Sequence, residues 1–233
     1  MKVIIVGGVA GGASCAARLR RLSEDAEIVL FERGENISYA NCGLPYYLGG
    51  IIREESALTV ASPALLRDRF RIDVRIRSEV IAIDRENHTV TVRTPEGEYR
   101  ESYEKLVLTP GASPKTFGLG GEGVFTLRDV HDTLSIDAYL KGTGTREVLV
   151  AGGGFIGVEM AENLAHRGLK VTLAEFAPQI MPPFDPELAL LLQDALEKGG
   201  VTVRTNTGVK TIEKQGNALI VTFTDGSVAQ TGA

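Results

Sequence analysis

Two glycine-rich stretches and one cysteine carry the residue types from which chemistry could be built. Gly152-Gly153-Gly154-Phe155-Ile156-Gly157 has the spacing of a dinucleotide-binding turn. In such a turn the first glycine makes the tight bend, and the second lets a pyrophosphate approach the backbone. The third lets the following helix pack on the preceding strand. That helix then offers free N–H groups and the positive end of its dipole to phosphate oxygens. Gly7-Gly8-Val9-Ala10-Gly11-Gly12 follows the same plan with Val9 in the middle position. A purely structural turn is the competing reading there, and Gly8, Gly11 and the later Glu32 weigh against it. Each turn leads to a strand that ends in an acid, Glu32 or Glu175. A carboxylate at that place can accept both ribose hydroxyls and repels a 2′-phosphate, which favours NADH over NADPH at the second turn. Two such sites in one chain suggest a flavin facing a nicotinamide, because hydride passes from one ring to the other.

Cys42 lies in Ser38-Tyr39-Ala40-Asn41-Cys42-Gly43-Leu44-Pro45-Tyr46-Tyr47, shortly after the first acid. This stretch mixes turn formers with hydrogen-bonding side chains. A cysteine at a turn or helix start meets unpaired N–H groups that favour the thiolate. The alternative is a small buried hydrophobe, and residue type alone leaves both open. Cys15, between Ser14 and Ala16 on an apolar helix face, reads as core. There is no Cys-x-x-Cys, and His88, His131 and His166 are scattered, so no metal site is expected.

The elements that must position these groups form an internal repeat. Val3–Val6, the first turn, a helical stretch over Ala13–Leu22 and Ile28–Phe31 make one βαβ unit. Val148–Ala151, the second turn, Val158–Arg167 closed by Gly168, and Val171–Ala174 make another. Residues 79–109 alternate as a β-meander with a turn at Glu86-Asn87 and return through Lys105–Thr109. Val209–Lys214 and Leu219–Thr224 repeat the meander. Asp185-Pro186 opens a helix with an N-cap and a first-turn proline, and Gly199-Gly200 closes it. The expected fold is α/β: two Rossmann-like dinucleotide-binding domains, each a parallel sheet with a β-meander. The domains are placed at 1–114 and 146–233, with a connecting segment at 115–145. Laying Gly97 on Gly226 puts Glu104 on Ala233. The second copy is therefore expected to be incomplete, lacking its last strand, and such a chain to hold flavin weakly.

Composition narrows the function classes. Of 233 residues, 43% are hydrophobic and 24% charged, which suits a folded globular chain and excludes a disordered one. A net charge of -5 without a basic stripe disfavours nucleic acid as partner. No apolar run approaches the roughly 20 residues that span a bilayer. The first residues enter a strand directly, so no secretory signal is expected. With two cysteines, the expected compartment is a reducing cytoplasm.

Taken together, the two turns and the cysteine resemble the FAD-dependent pyridine nucleotide–disulfide oxidoreductases. The stretch Ser38–Tyr47 resembles their single-cysteine branch, which includes coenzyme A-disulfide reductases. Gly-x-Val-Ala-Gly-Gly resembles that branch's flavin loop, and Thr109-Pro110-Gly111-Ala112-Ser113-Pro114 the segment that passes the flavin. The resemblance implies a glutathione-reductase-like pair of domains. It implies FAD at Gly7, Val9, Ala10, Gly11, Gly12, Glu32, Arg33, Thr109, Pro110 and Gly111. NADH, or NADPH, falls to Gly152, Gly154, Phe155, Ile156, Gly157 and Glu175. Cys42 is the implied redox centre, with Ser38, Tyr39 and Asn41 positioning the substrate thiol. Arg18 and Arg21 could meet coenzyme A phosphates, or simply form a solvated helix face. The implied substrate is a small-molecule disulfide, coenzyme A disulfide foremost, and persulfide or polysulfide reduction is not separable on these residues. The cysteine motif argues against an NADH oxidase or peroxidase. A non-catalytic nucleotide-binding module is the reading from another class. The family implies a homodimer at full length, through a further C-terminal domain.

Overall fold

The computed structural model describes residues 1–233, which divide into two compact units: residues 1–40 with 56–113, and residues 41–55 with 114–233.

In the first unit, β1 (Lys2–Val6), α1 (Ala10–Leu22) and β2 (Glu27–Phe31) form the first βαβ start. A short helix, α2 (Leu44–Leu48), belongs to the second unit. The chain then returns through α3 (Pro63–Phe70) and β3 (Asp73–Arg75). The meander is β4 (Glu79–Asp84), β5 (Thr89–Thr94) and β6 (Gly97–Ser102), and β7 (Lys105–Leu108) rejoins the main sheet. That sheet runs β3-β2-β1-β7, all parallel. Its strands are apolar on both faces because both are covered. Val3, Ile5, Ile28 and Leu30 pack with Ala16 and Leu66 on the helical side. Ile4, Val29 and Phe31 pack with Val90 and Val92 of the meander on the other.

The second unit repeats this plan after α4 (Val130–Thr143). Its β8 (Glu147–Ala151), α5 (Phe155–His166), β9 (Lys170–Ala174), α6 (Pro186–Lys198) and β10 (Val201–Arg204) give a parallel sheet, β10-β9-β8. The meander is β11 (Val209–Gln215), β12 (Ala218–Phe223) and β13 (Val228–Thr231). Beside β8, the Gly232 N–H donates to the Glu147 carbonyl and the Leu149 N–H to that of Ala233.

Local details differ from the sequence reading in three places. Both turn helices begin within the glycine stretch, at Ala10 and Phe155 rather than Ala13 and Val158, so the last turn glycines are helical. Asp185 precedes α6, but its side chain makes no capping bond; Pro186 with its preset φ opens that helix. Domain limits also shift. Residues 41–55 leave the first domain because Leu44 and Leu48 are buried, Leu48 in the second unit's core. The connecting segment contains α4, whose Ile136 and Leu140 join the same core. No helix is long and apolar enough to cross a membrane.

Candidate active site

The two glycine turns are built alike from the backbone upward. Gly7 and Gly152 sit at φ +97 and +109, in the left-handed region that glycine enters without strain. Their N–H groups donate to Phe31 and Ala174, each at 2.8 Å, so each turn is tied to the strand beside it. A methyl on Gly12 would overlap the Gly7 carbonyl oxygen, and one on Gly157 would overlap that of Gly152. The third glycine is therefore demanded by the turn itself. The middle position is not: a Cβ on Gly154 would meet nothing within 4 Å, and Val9 fills the equivalent place. Any need for glycine at 154 has to come from a ligand.

Both helix starts lack a side-chain cap and carry no acid in their first turn. By contrast, Asp132 and Glu187 stand in the first turns of α4 and α6. Uncapped N–H groups with no competing carboxylate fit an anionic ligand such as a pyrophosphate.

The strand-end acids pin the turns. Glu32 accepts from the Gly8 N–H at 2.7 Å and the Gly34 N–H at 2.8 Å. Glu175 accepts from Gly153 at 2.6 Å and Ala177 at 2.7 Å. Both oxygens of each acid are thus engaged before any ribose arrives. A carboxylate has about four lone-pair sites, so two remain for hydroxyls.

The repeat extends further than sequence alone reveals. The Ser38 N–H donates to the Gly8 carbonyl and the Met181 N–H to that of Gly153, at 2.9 and 2.7 Å. Both residues are left-handed, at φ +45 and +48. Ser38's unusual backbone is hence part of the turn's architecture. Beyond it the copies part. The second runs directly from Met181 to Asp185-Pro186, whereas the first inserts Tyr39–Ala61 before Ser62-Pro63 opens α3. Cys42 lies in that insertion.

Around the first turn, Thr109 closes the site. Its hydroxyl lies 2.8 and 2.9 Å from the carbonyls of Val6 and Gly7. A small cavity of about 110 Å³ brings Gly7, Glu32, Arg33 and Pro110 together with Phe31 and Val80. Gly111 is exposed beyond it. Beside the second turn, an apolar cavity of about 360 Å³ touches Gly152, Ile156 and Gly157. Phe155 is exposed and meets Phe184 edge-on, with ring centroids 6.0 Å apart.

Cys42 is exposed, in a 3-10 turn over Asn41–Gly43 that runs into α2; it is not a buried hydrophobe. Cys15 is half-buried against the first unit's core. Tyr39 is 9% exposed and bridges to Thr59. The buried Asn41 Oδ1 has no hydrogen-bond donor. Such an atom normally finds a partner, and a ligand group can supply one. Arg18 and Arg21 are both exposed on α1, and Arg21 Nε donates to the Ala17 carbonyl on the same helix.

Residues 1–232 match the family described as pyridine nucleotide-disulphide oxidoreductase. The chain belongs to that family. Coenzyme A disulfide reductase of Staphylococcus aureus (strain JH9) is 39% identical over 229 residues, 97% of this chain and 51% of that protein. The structure of reduced CoADR-RHD from Bacillus anthracis has a TM-score of 0.94 at 47% identity, covering 99% of this chain and 42% of that one. An NAD-dependent persulfide reductase from A. fulgidus has a TM-score of 0.95 at 32% identity, covering 100% and 45%. The chain thus spans about half the length of the curated relatives it matches. Within this family fold, sequence reasoning missed the paired left-handed residues Ser38 and Met181 and the Phe155–Phe184 contact. A spacing of six residues from acid to left-handed residue is common to both copies, and was the one signal available for the first.

Proposed function

We propose that this chain forms the nucleotide- and thiol-bearing part of an NADH- and FAD-dependent disulfide reductase acting on coenzyme A disulfide. The observation that carries the reading is the exposed Cys42 in the one long insertion that separates two otherwise matching nucleotide turns. Ala10–Gly12 and Phe155–Gly157 present uncapped N–H groups to the pyrophosphates of FAD and NADH respectively. Glu32 and Glu175 hold the turns and keep lone pairs for ribose hydroxyls, and Arg33, Thr109, Pro110 and Gly111 flank the first site. The Cys42 thiolate attacks one sulfur of the substrate disulfide, forming a Cys42–substrate mixed disulfide and expelling one thiolate, which takes up a proton. FAD and NADH, when bound, supply the two electrons that split this mixed disulfide into the second thiol and free Cys42. One cysteine suffices, since the substrate's own sulfur stands where a second cysteine would. Ser38, Tyr39 and Asn41 orient the substrate disulfide, with the orphan Asn41 Oδ1 as an acceptor for the S–H of the expelled thiol once it is protonated.

Cys42→Ser in the full-length protein tests this. NADH should still bleach the flavin, while coenzyme A disulfide turnover stops. Parent-rate turnover by the variant would exclude the thiol mechanism. The likeness to the persulfide reductase supports a second substrate, in which a persulfide sulfur is attacked. Comparing kcat/KM for coenzyme A disulfide and coenzyme A persulfide in one preparation ranks the two.

A further inference from the structure

The cysteine-bearing insertion is fastened at the far end of α2. Leu44 and Leu48 are 2% and 0% exposed. Gly49 lies so close to α5 that a Cβ would meet the Asn163 Oδ1 at 2.6 Å and the Asn163 carbonyl oxygen at 3.1 Å. Arg167, which ends α5, donates from Nη1 to the Leu48 carbonyl at 3.0 Å and to Asp137 Oδ1 at 2.8 Å. Asp137 on α4 also accepts from Lys141 Nζ at 2.6 Å. Burial alone would raise the Asp137 carboxyl. Hydrogen bonds from Lys141 and Arg167, with their charges, outweigh that and hold it below its ordinary range.

A helix of five residues cannot hold its own shape, because isolated helices shorter than about 12 residues are marginal in water. The placement of α2 is therefore imposed by what it touches. Its Leu48 carbonyl is one of the orphan acceptors at a helix end, and Arg167 satisfies it across 119 residues of sequence. The same α5 begins at the Gly152–Gly157 turn. We propose that Arg167, braced by Asp137, is a positioning residue for Cys42: it clamps the Cys42-bearing segment to the helix that starts at the second nucleotide turn. The inference rests on the proposed disulfide chemistry only for what Cys42 does, not for where it is held.

The test uses full-length protein with Arg167→Met and Arg167→Lys. Iodoacetamide labelling is followed at Cys42, with Cys15 on α1 as internal reference, alongside hydrogen exchange over residues 41–55. Arg167→Met should raise the Cys42 labelling rate at least about threefold and speed exchange at 44–52, leaving Cys15 unchanged. Arg167→Lys, which keeps the charge and a donor, should recover most of both. In turnover, kcat for coenzyme A disulfide should fall about tenfold with KM for NADH unchanged. Cys42 labelling at the parent rate in folded Arg167→Met overturns the proposal. So does Cys15 rising in step with Cys42 in both variants, which would mean general loosening. If Cys42→Ser still reduced disulfides while Arg167→Met altered only Cys42 labelling, the function would fail and the clamp would stand.

Discussion

Alanine at Gly154 and, separately, at Gly157 of the second turn should separate what the fold requires from what a ligand requires. At Gly154 the backbone is extended, with φ -79 and ψ -173, and an added Cβ has no atom within 4 Å. Gly→Ala at a compatible site stabilises by about 0.4–1 kcal/mol, because the unfolded chain loses freedom. At Gly157 the methyl would fall on the Gly152 carbonyl oxygen, well inside the 3.0 Å that real Cβ contacts respect. Either β8 and α5 separate or the turn opens, and overpacking of this kind costs about 1–3 kcal/mol or more. Gly154→Ala should therefore keep or raise the guanidinium midpoint while weakening NADH about tenfold, or about 1.4 kcal/mol. Gly157→Ala should lower both the midpoint and the affinity. Circular dichroism melts and nicotinamide fluorescence titrations on the same preparations give the two numbers. Parent-like NADH affinity in Gly154→Ala, or a parent-like midpoint in Gly157→Ala, would refute the reasoning.

Glu175→Ala should act on two quantities at once. Removing the acceptor of the Gly153 and Ala177 N–H groups costs about 1–3 kcal/mol of stability. Removing its charge should narrow the gap between NADH and NADPH in kcat/KM, and equal use of both nucleotides by the parent would contradict the argument. Arg20, 9% exposed, donates to the carbonyls of Ser23, Glu24, Phe70 and Arg71, joining the ends of α1 and α3. Arg20→Met should cost about 2–4 kcal/mol in a denaturant titration, and Arg18→Met, on the exposed face, less than about 0.5. Glu101 and Asp137 are both held below the ordinary carboxylate range. In each, burial opposes the shift, and hydrogen bonds from Lys2 and Arg75, or from Lys141 and Arg167, outweigh it. A depressed carboxylate contributes stability that is present above its unfolded value of about 4 and is lost as pH falls through the folded one. The urea midpoint should thus hold from pH 7 to 5 and drop toward pH 3; a rise over that last interval would overturn the assignment.

Local pattern makes much of this protein legible in its sequence. Each βαβ start, its glycine spacing and its closing acid lie within about thirty residues, where strand and helix periodicities report directly on which face is buried. Both meanders and both turn sites could be placed for that reason, and the overlay of the two copies followed. What the pattern cannot carry is the partner of a polar side chain. Arg18, Arg20 and Arg21 look alike in sequence, yet only Arg20 is buried, because its four acceptors are carbonyls that every residue possesses. Glu32 and Glu175 read as ribose acceptors; that they first tie their own turns depends on backbone N–H groups aimed by the tertiary fold. The insertion after Ser38 was visible only as a stretch with a cysteine. Its attachment to the second unit rests on Gly49 against Asn163 and on Arg167 reaching Leu48. Neither contact leaves a periodic trace, since each joins residues more than a hundred positions apart. The chemistry-bearing residue types were local information, and where Cys42 is held was decided by packing.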